Sequence, residues 1–303
     1  MSKGANYHSA IYTPRTIVDV FICCGQSNSV GGTTPNGIPF NGVIDQNFGG
    51  VYSPRDPYIF DNPFKNGSTP TATWGQSSPW PHFAYQWYQD TGRASVWLNL
   101  AVAGTPLMKT SIPAGANHWD VTELNKCLLA DYTYTPGAET RTRRQMIQDF
   151  YDAIAENPRL QIGEKHLTWV QGEADANIGS PDPAGYEVAL NNLFDFAKTN
   201  YGIQYFSIFG LGHKGDNASQ IASWESFSYA AFRNIQSNVA NNRADTFFVL
   251  NAAKETGPLT VDANYFHISG WDYSVADNVH YTSESYRCMG RTGARNLKLA
   301  RFG

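Results

Sequence analysis

The chain is poor in charge, in cysteine and in long apolar runs, and each shortage excludes a class of protein. Charged residues make up 16% of its 303 residues, and 22 lysines and arginines against 26 aspartates and glutamates leave a formal net charge of −4. Nucleic-acid binding, which depends on a basic surface, is therefore not expected. No run approaches 18 apolar residues, so no segment is expected to span a membrane. A hydrophobic share of 42% excludes a disordered chain.

Cysteine and histidine show no pattern of ligands. Cys23 and Cys24 are adjacent, Cys127 and Cys288 are isolated, and no C-x-x-C motif occurs. We expect these cysteines to be small buried residues. The sequence predicts no metal and no cofactor, because six of the seven histidines show no ligand spacing: His8, His82, His118, His166, His213 and His267.

Strand-like and helix-like segments alternate along the chain. Apolar, β-branched and aromatic runs predict strands at 16–24, 95–101, 165–170, 203–210 and 245–250. Apolar periodicity predicts helices at 80–91, 140–156, 184–200, 219–241 and 285–300. Such alternation indicates an α/β fold with a parallel sheet. We expect a single domain over 16–303 after an N-terminal extension at 1–15.

One helix carries a specific expectation about its buried face. Within 219–241 the periodicity places Ile221, Trp224, Ser228, Ala231 and Ile235 on the same side. That side is expected to face the sheet.

Three long connections follow predicted strands, at 30–79, 104–138 and 252–280. Long loops in a compact domain are usually functional. The carboxyl ends of parallel strands share one edge of the sheet, so the three loops are expected to meet there.

The turn Gly25-Gln26-Ser27-Asn28 follows the first predicted strand. A serine there can present its hydroxyl above the sheet edge, with its backbone N–H towards the same space. This suits a nucleophile whose own amide stabilises the oxyanion that it creates. The similar string Gly75-Gln76-Ser77-Ser78 has no strand before it and is interpreted as a loop.

Two further amide donors follow the next strands. Gly104 can offer an unobstructed backbone N–H, and Gln171 a side-chain N–H, to the same pocket. Taken singly, Gly104 also suits a tight turn, and Gln171 a hydrogen-bonded loop residue.

Asp277 and His280 form an Asp-x-x-His pair before the last predicted helix. The Asp277 carboxylate can hold the imidazole Nδ1–H, leaving Nε2 to take a proton from Ser27. Alone, the pair also suits a helix-capping aspartate beside a surface histidine. In the order Ser27, Gly104, Gln171, Asp277, His280, each residue type has a distinct role in acyl transfer.

These blocks resemble the SGNH (GDSL-like) hydrolase superfamily, in its branch of sialate O-acetylesterases and plant-type acetylxylan esterase-like proteins. The matching segments are Gly-Gln-Ser-Asn at 25–28, an Ala-x-Gly-Gly-Thr-like segment at 101–105 with Ala103 in place of the first glycine, Gln-Gly-Glu-x-Asp at 171–175 and Asp-x-x-His at 277–280. The resemblance implies a flavodoxin-like three-layer α/β/α sandwich with a five-stranded parallel sheet. It also implies removal of acetyl groups from sugar hydroxyls.

The resemblance further implies residue roles. Ser27, Asp277 and His280 would be the catalytic residues, and the oxyanion hole would consist of the Ser27 and Gly104 amides and the Gln171 side chain. The wider superfamily has asparagine where Gln171 stands.

Glu173 and Asp175 permit a second interpretation. Paired carboxylates can cleave glycosides. In a turn after a strand, however, Glu173 is expected to anchor neighbouring N–H groups, and with Asn28 to support the site from behind the reacting residues.

The long loops are rich in aromatic residues, whose faces can stack on sugars, although such residues can also simply pack the loops together. They are Tyr52, Tyr58, Phe60, Phe64, Trp74, Trp80, Trp119, Tyr132, Tyr134, Trp271 and Tyr273.

The sequence thus predicts a carbohydrate O-acetylesterase whose partner is an acetylated carbohydrate. A lipase or thioesterase of the same superfamily, with an apolar acyl groove, and a catalytically silent carbohydrate-binding module are the alternatives. In its composition the chain also resembles phage tailspikes that de-acetylate bacterial surface polysaccharide. If the chain belongs to such a tailspike, a homotrimer is expected. No apolar segment of a secretory signal follows Met1, and we expect an extracellular or virion-tail location.

Overall fold

The fold is built on a parallel β-sheet. The computed structural model describes residues 15–30, 79–111, 116–133, 142–178, 180–212, 214, 218–251, 281 and 283–303. Its strands are β1 Thr16–Gly25, β2 Ala94–Asn99, β3 Leu160–Val170, β4 Tyr205–Gly210 and β5 Thr246–Asn251. They pair in parallel in the order β2-β1-β3-β4-β5, which is the flavodoxin-like order.

Helices fill the connections between these strands. They are α1 Ser27–Val30, α2 Trp80–Thr91, α3 Arg143–Glu156, α4 Glu173–Ala176, α5 Pro183–Tyr201, α6 Ala218–Trp224, α7 Ala230–Asn241 and α8 Ser283–Phe302. A 3₁₀ turn covers Lys109–Ser111, and a π-helical turn, Glu225–Tyr229, joins α6 to α7.

The helices cover both faces of the sheet. Alternate residues of β1 point to opposite sides: Ile22 belongs to a core that includes residues of α3, α5 and α7, whereas Phe21 belongs to a core shared with α2 and α8. The three-layer α/β/α sandwich predicted from the motif resemblance is therefore confirmed. Both faces are apolar because a parallel sheet is buried on both sides.

Strand β3 differs from its prediction, since it starts at Leu160 rather than at residue 165. Gly163 and the charged residues after it hide the strand character of this stretch. In the structure Thr16 pairs with Leu160, and a register shift between Val18 and Val20 accommodates the irregular segment.

The inward face of 219–241 follows the prediction at Trp224, which packs half-buried against the core, and at Ser228 within the π-helical turn, and it shifts after that turn. Ser228 is buried, but Ala231 is exposed and Ile235 only half-buried, while Phe232 and Gln236 are buried. A π-helical turn holds one more residue than an α-helical turn. The helical phase therefore moves on by one residue, and the inward face with it.

The segment 104–138 is less loop-like than expected. In its described part, 104–111 and 116–133, the core contains Leu107, Met108, Trp119 and residues 127–130. Cys23, Cys24 and Cys127 are buried free thiols, as predicted, and Cys288 is half-buried. None of the helices in the described ranges is long and apolar enough to cross a membrane.

A network of charges occupies the amino-terminal edge of the sheet. The guanidinium of Arg93 binds both carboxylate oxygens of Asp19 in β1, each at 2.6 Å. In β3, Glu164 Oε1 lies 2.9 Å from Arg301 Nη2, and Glu164 Oε2 lies 3.4 Å from Nε2 of the buried His166. Arg301 is in the last turn of α8, so this helix ends at the same edge.

The nearby His166 and Arg301 lower the pKa of Glu164 to about 2. Burial lowers the pKa of His166 from its ordinary value of 6.5. The network therefore favours an ionised Glu164 beside a neutral His166 at neutral pH.

Candidate active site

The turns after β1, β2 and β3 meet at the carboxyl-terminal edge of the sheet. The strand order reverses between β1 and β3, because the chain leaves β1 for β2 on one side and returns to β3 on the other. Crevices at such a reversal are where ligands bind in open α/β sheets. Ser27 follows β1, Gly104 follows β2 and Gln171 follows β3.

The turn that carries Ser27 is pressed against the end of β3. Gly25 has φ +122°, and a Cβ there would lie 2.1 Å from the carbonyl oxygen of Val170, so only glycine fits. The backbone N–H of Gln26 donates to the same Val170 oxygen at 3.0 Å. Ser27 then opens α1 and is half-buried, and its N–H has no acceptor in the described part of the chain. An N–H at a helix start suits an anionic oxygen.

Gly104 occupies an exposed turn with φ +71°, and nothing lies within 4 Å of where its Cβ would be. The turn is fixed by Thr105, whose hydroxyl donates to the Val102 carbonyl oxygen at 2.7 Å and accepts from the buried indole of Trp119 at 2.9 Å. Backbone conformation rather than crowding therefore demands glycine at this position.

The side chain of Gln171 is buried and held at both ends. Its Nε2 lies 2.6 Å from Asp175 Oδ2, 3.2 Å from Gln26 Oε1 and 3.3 Å from the Thr105 carbonyl oxygen. Its Oε1 accepts from the Tyr186 hydroxyl at 3.0 Å. The three turns thus converge on Gln171, whose N–H groups face protein acceptors in this structure.

Asp175 joins the turn after β3 to the segment after β2. Its oxygens accept from the amides of Leu107 at 2.8 Å and Met108 at 3.0 Å, from Ser111 Oγ at 2.8 Å and from Gln171. Burial raises its pKa, and these hydrogen bonds oppose the rise. With both oxygens occupied inside the protein, Asp175 is not placed to act on a substrate, which weighs against the paired-carboxylate interpretation.

Asn28 links the nucleophile turn to two other elements. Its Nδ2 donates to Glu173 Oε1 at 2.6 Å, and its Oδ1 accepts from the Tyr286 hydroxyl of α8 at 2.8 Å. Both Asn28 and Glu173 are buried. The structure thus brings together Asn28 and Glu173, the two residues predicted to support the site.

Asp277 and His280 lie outside the described residues. The residue after His280, Tyr281, is described and buried, and a Cβ on Gly212 would lie 2.1 Å from its hydroxyl oxygen. Because Gly212 follows β4, the chain re-enters the described structure at the carboxyl-terminal edge of the sheet.

Of the aromatic residues considered as sugar contacts, Trp80 and Trp119 are fully buried. The Trp80 indole donates to the Ser29 carbonyl oxygen at 2.7 Å. These two therefore pack the protein, and Tyr132 is half-buried. The others lie outside the described residues: Tyr52, Tyr58, Phe60, Phe64, Trp74, Tyr134, Trp271 and Tyr273. In the part of the chain that is described, no group of three or more potential metal ligands occurs.

Sequence reasoning missed three contributors to the site: Gln26, Asp175 as an anchor, and Tyr286. Asp175 and Gln26 lie within the motifs that marked the site, so their position was a signal, although their contacts were not. Tyr286 is a helix residue far along the chain, and nothing in the sequence connects it to Asn28.

Comparison with solved structures agrees with this architecture. NanS is 16% identical with a TM-score of 0.53, covering 95% of this chain and 99% of that chain. A protein from Arabidopsis thaliana is 12% identical with a TM-score of 0.53 over 94% of this chain and 99% of that chain. A carbohydrate acetylesterase from Xanthomonas citri is 13% identical with a TM-score of 0.51, covering 94% of this chain and 56% of its own.

No family model matches the chain, and no curated protein matches it in sequence. The structural likeness shows that the chain shares the fold of these proteins, and its three-layer α/β/α architecture is the one that the motif resemblance implied.

Proposed function

We propose that this protein is a serine esterase that removes acetyl groups from carbohydrate hydroxyls. The observation that carries the proposal is the position of Ser27. It begins α1 at the reversal point of the sheet, in a turn fastened to β3 through Val170 and to α8 through Asn28 and Tyr286. Helix α8 begins three residues after His280 in sequence, and we expect the proposed base to lie near the nucleophile for that reason.

In the proposed first step, His280 takes the proton of Ser27 Oγ as that oxygen attacks the acetyl carbonyl carbon. The carbonyl π electrons move onto the carbonyl oxygen, which the amides of Ser27 and Gly104 stabilise. The resemblance implies Gln171 as a further donor, but its N–H groups face Asp175, Gln26 and Thr105 in this structure. The bond to the sugar oxygen then breaks, and that oxygen takes the proton from His280. Asp277 orients the imidazole throughout.

In the second step, water attacks the acetyl-serine carbonyl carbon and gives its proton to His280. The bond to Ser27 Oγ breaks, Oγ regains a proton, and acetate leaves.

Support for a carbohydrate substrate comes from the aromatic and polar character of the loop segments and from the activity that the Xanthomonas citri structure's name gives that protein. Asp175 is buried and both of its oxygens accept hydrogen bonds inside the protein, so it is not available as one of the paired carboxylates of a glycosidase.

The first test is hydrolysis of p-nitrophenyl esters of increasing acyl length by the wild type and by Ser27→Ala. We expect acetyl to be the best acyl group and Ser27→Ala to lose at least about 10³-fold in kcat/KM without a change in melting temperature, because the nucleophile alone is removed. Ser29→Ala is the matched control, since the Ser29 hydroxyl makes no hydrogen bond among the described residues. It should remain active.

A serine-directed fluorophosphonate should label the wild type and spare Ser27→Ala. Acetate release from acetylated polysaccharides then identifies the substrate. A preference for long acyl chains would point to a lipase instead, and a folded wild type that neither hydrolyses esters nor takes the label would point to a binding module.

A further inference from the structure

The side chain of Gln26 is nine-tenths buried and only partly used by the protein. It is 3% exposed and precedes Ser27 directly. Its Oε1 accepts from the backbone N–H of Ala174 at 3.1 Å and from Gln171 Nε2 at 3.2 Å. A backbone N–H can only donate, so the amide oxygen must face the turn after β3 and the amide nitrogen must face elsewhere.

The Nε2 group of Gln26 has no acceptor among the described residues, whereas the neighbouring Gln171 Nε2 has three. The Gln26 nitrogen is not among the buried side-chain atoms that lack a partner, so solvent reaches it. A solvent-reached N–H beside the nucleophile can donate to a ligand that displaces its water.

The position of Gln26 identifies that acceptor. Its backbone leads into Ser27, its oxygen contacts the turn after β3, and its partner Gln171 also reaches the Thr105 carbonyl oxygen beside Gly104. Gln26 therefore lies at the junction of the three turns around the proposed reacting carbon.

We propose that Gln26 is a further catalytic residue, whose Nε2–H donates to the carbonyl oxygen of the ester as that oxygen becomes negatively charged. Gln171 then fixes the orientation of Gln26 by donating to its oxygen. No covalent bond to Gln26 forms or breaks, and the donor acts with the amides of Ser27 and Gly104. The inference rests on the proposed esterase function.

The test uses Gln26→Glu in the full chain. Glutamate keeps an oxygen for the Ala174 and Gln171 N–H groups but replaces the free NH₂. With p-nitrophenyl acetate at neutral pH, we expect kcat to fall about 10²–10³-fold with little change in KM or melting temperature, as when an oxyanion-hole donor is lost. Affinity for a boronic acid, which forms a tetrahedral adduct with the serine, should weaken in parallel.

Gln204→Glu is the matched control, because Gln204 Oε1 likewise accepts a backbone N–H, that of Lys165 at 2.9 Å, but precedes β4 at the opposite edge of the sheet. It should leave kcat unchanged. If Gln26→Glu keeps kcat within a few-fold of the wild type, or loses activity only in step with its melting temperature, Gln26 has a structural role and the inference is wrong.

Gln171→Met separates the two glutamines. We expect a lower melting temperature, because Asp175 loses a buried donor, and a smaller loss of kcat than in Gln26→Glu, because the Ala174 N–H still orients Gln26. A large loss of kcat in Gln171→Met at unchanged stability, together with a fully active Gln26→Glu, would give the donor role to Gln171 alone. If the wild type has no esterase activity, the proposed function is wrong, and so is the role proposed for Gln26.

Discussion

At the scale of single residues, two glycines share one backbone conformation and lie at opposite ends of β2. Gly92 ends α2 with φ +68°, and Gly104 holds φ +71° in the turn after β2. At neither position does anything lie within 4 Å of an added Cβ. Alanine at either site therefore meets the same backbone strain and no clash.

We expect Gly92→Ala and Gly104→Ala to lower the free energy of unfolding by similar amounts, about 1–2 kcal/mol each. Only Gly104→Ala should also lower kcat, by about tenfold or more, because a strained backbone re-aims the Gly104 N–H away from the oxyanion. Urea unfolding and p-nitrophenyl acetate kinetics on the pair measure both effects. Equal activity in the two variants would exclude the Gly104 amide from the mechanism.

Residue types were more predictable than residue orientations. Ser27 and Gln171 lie within two residues of a strand end and Gly104 lies five residues after β2, and position after a strand can be inferred from sequence. The direction of the Gln171 amide depends on Asp175 and Tyr186, and that of Gln26 on Ala174. These are contacts of the folded chain, so no local pattern encodes them. The places of Asp277 and His280 stay predictions.

At the scale of elements, apolar periodicity in the sequence predicted the strands and helices wherever contacts with neighbouring elements did not alter the regular geometry. The π-helical turn is the exception, because contacts from outside the helix hold it. Ser228 Oγ donates to the Ala176 carbonyl oxygen at 2.7 Å, and the Tyr229 hydroxyl donates to Asn177 Oδ1 at 3.1 Å. The turn after β3 thus sets the helical phase that brings Gln236 Nε2 within 2.6 Å of the Gln171 carbonyl oxygen.

Helix α8 is tied to α1 by the hydroxyl of Tyr286. We expect Tyr286→Phe to lower the free energy of unfolding by about 1 kcal/mol, because Asn28 Oδ1 loses this donor. It should also lower kcat several-fold, since Asn28 helps to hold the Ser27 turn. Thermal unfolding and ester kinetics test this.

Tyr201→Phe serves as the comparison, because the Tyr201 hydroxyl also donates inside the protein, to the Leu129 carbonyl oxygen, away from the site. A similar loss of stability with full activity is expected there. If both variants are fully active, the link between α8 and α1 contributes to stability only.

At the scale of the whole molecule, the charge network at the amino-terminal edge predicts sensitivity to acid. The pKa of Glu164 is lowered from 4.5 to about 2, so its contribution to stability is present above about 4.5 and is lost as the pH falls towards 2. The pKa of His166 is lowered from 6.5, so the unfolded chain binds its proton more readily and stability also falls below that pH.

We therefore expect the free energy of unfolding to decrease steadily from pH 7 to pH 4. Glu164→Gln should be less stable than the wild type by about 1–2 kcal/mol at pH 7, because Arg301 and His166 lose their carboxylate, and the difference should shrink below pH 4.5. Urea unfolding across this range measures the difference. Glu123→Gln, which changes a more exposed carboxylate between two lysines, should differ from the wild type much less than Glu164→Gln does across this range. A constant difference between Glu164→Gln and the wild type would refute the assignment.

The end of α8 has a practical consequence for attaching this protein to other objects. Arg301 contacts Glu164 and Phe302 packs near Trp87, so α8 ends at the amino-terminal edge of the sheet, opposite the edge that carries Ser27. A linker joined after Gly303 would leave from the back of the molecule, so a copy tethered to a bead or fused to a scaffold through that end would present its crevice outward to polymers too large to diffuse.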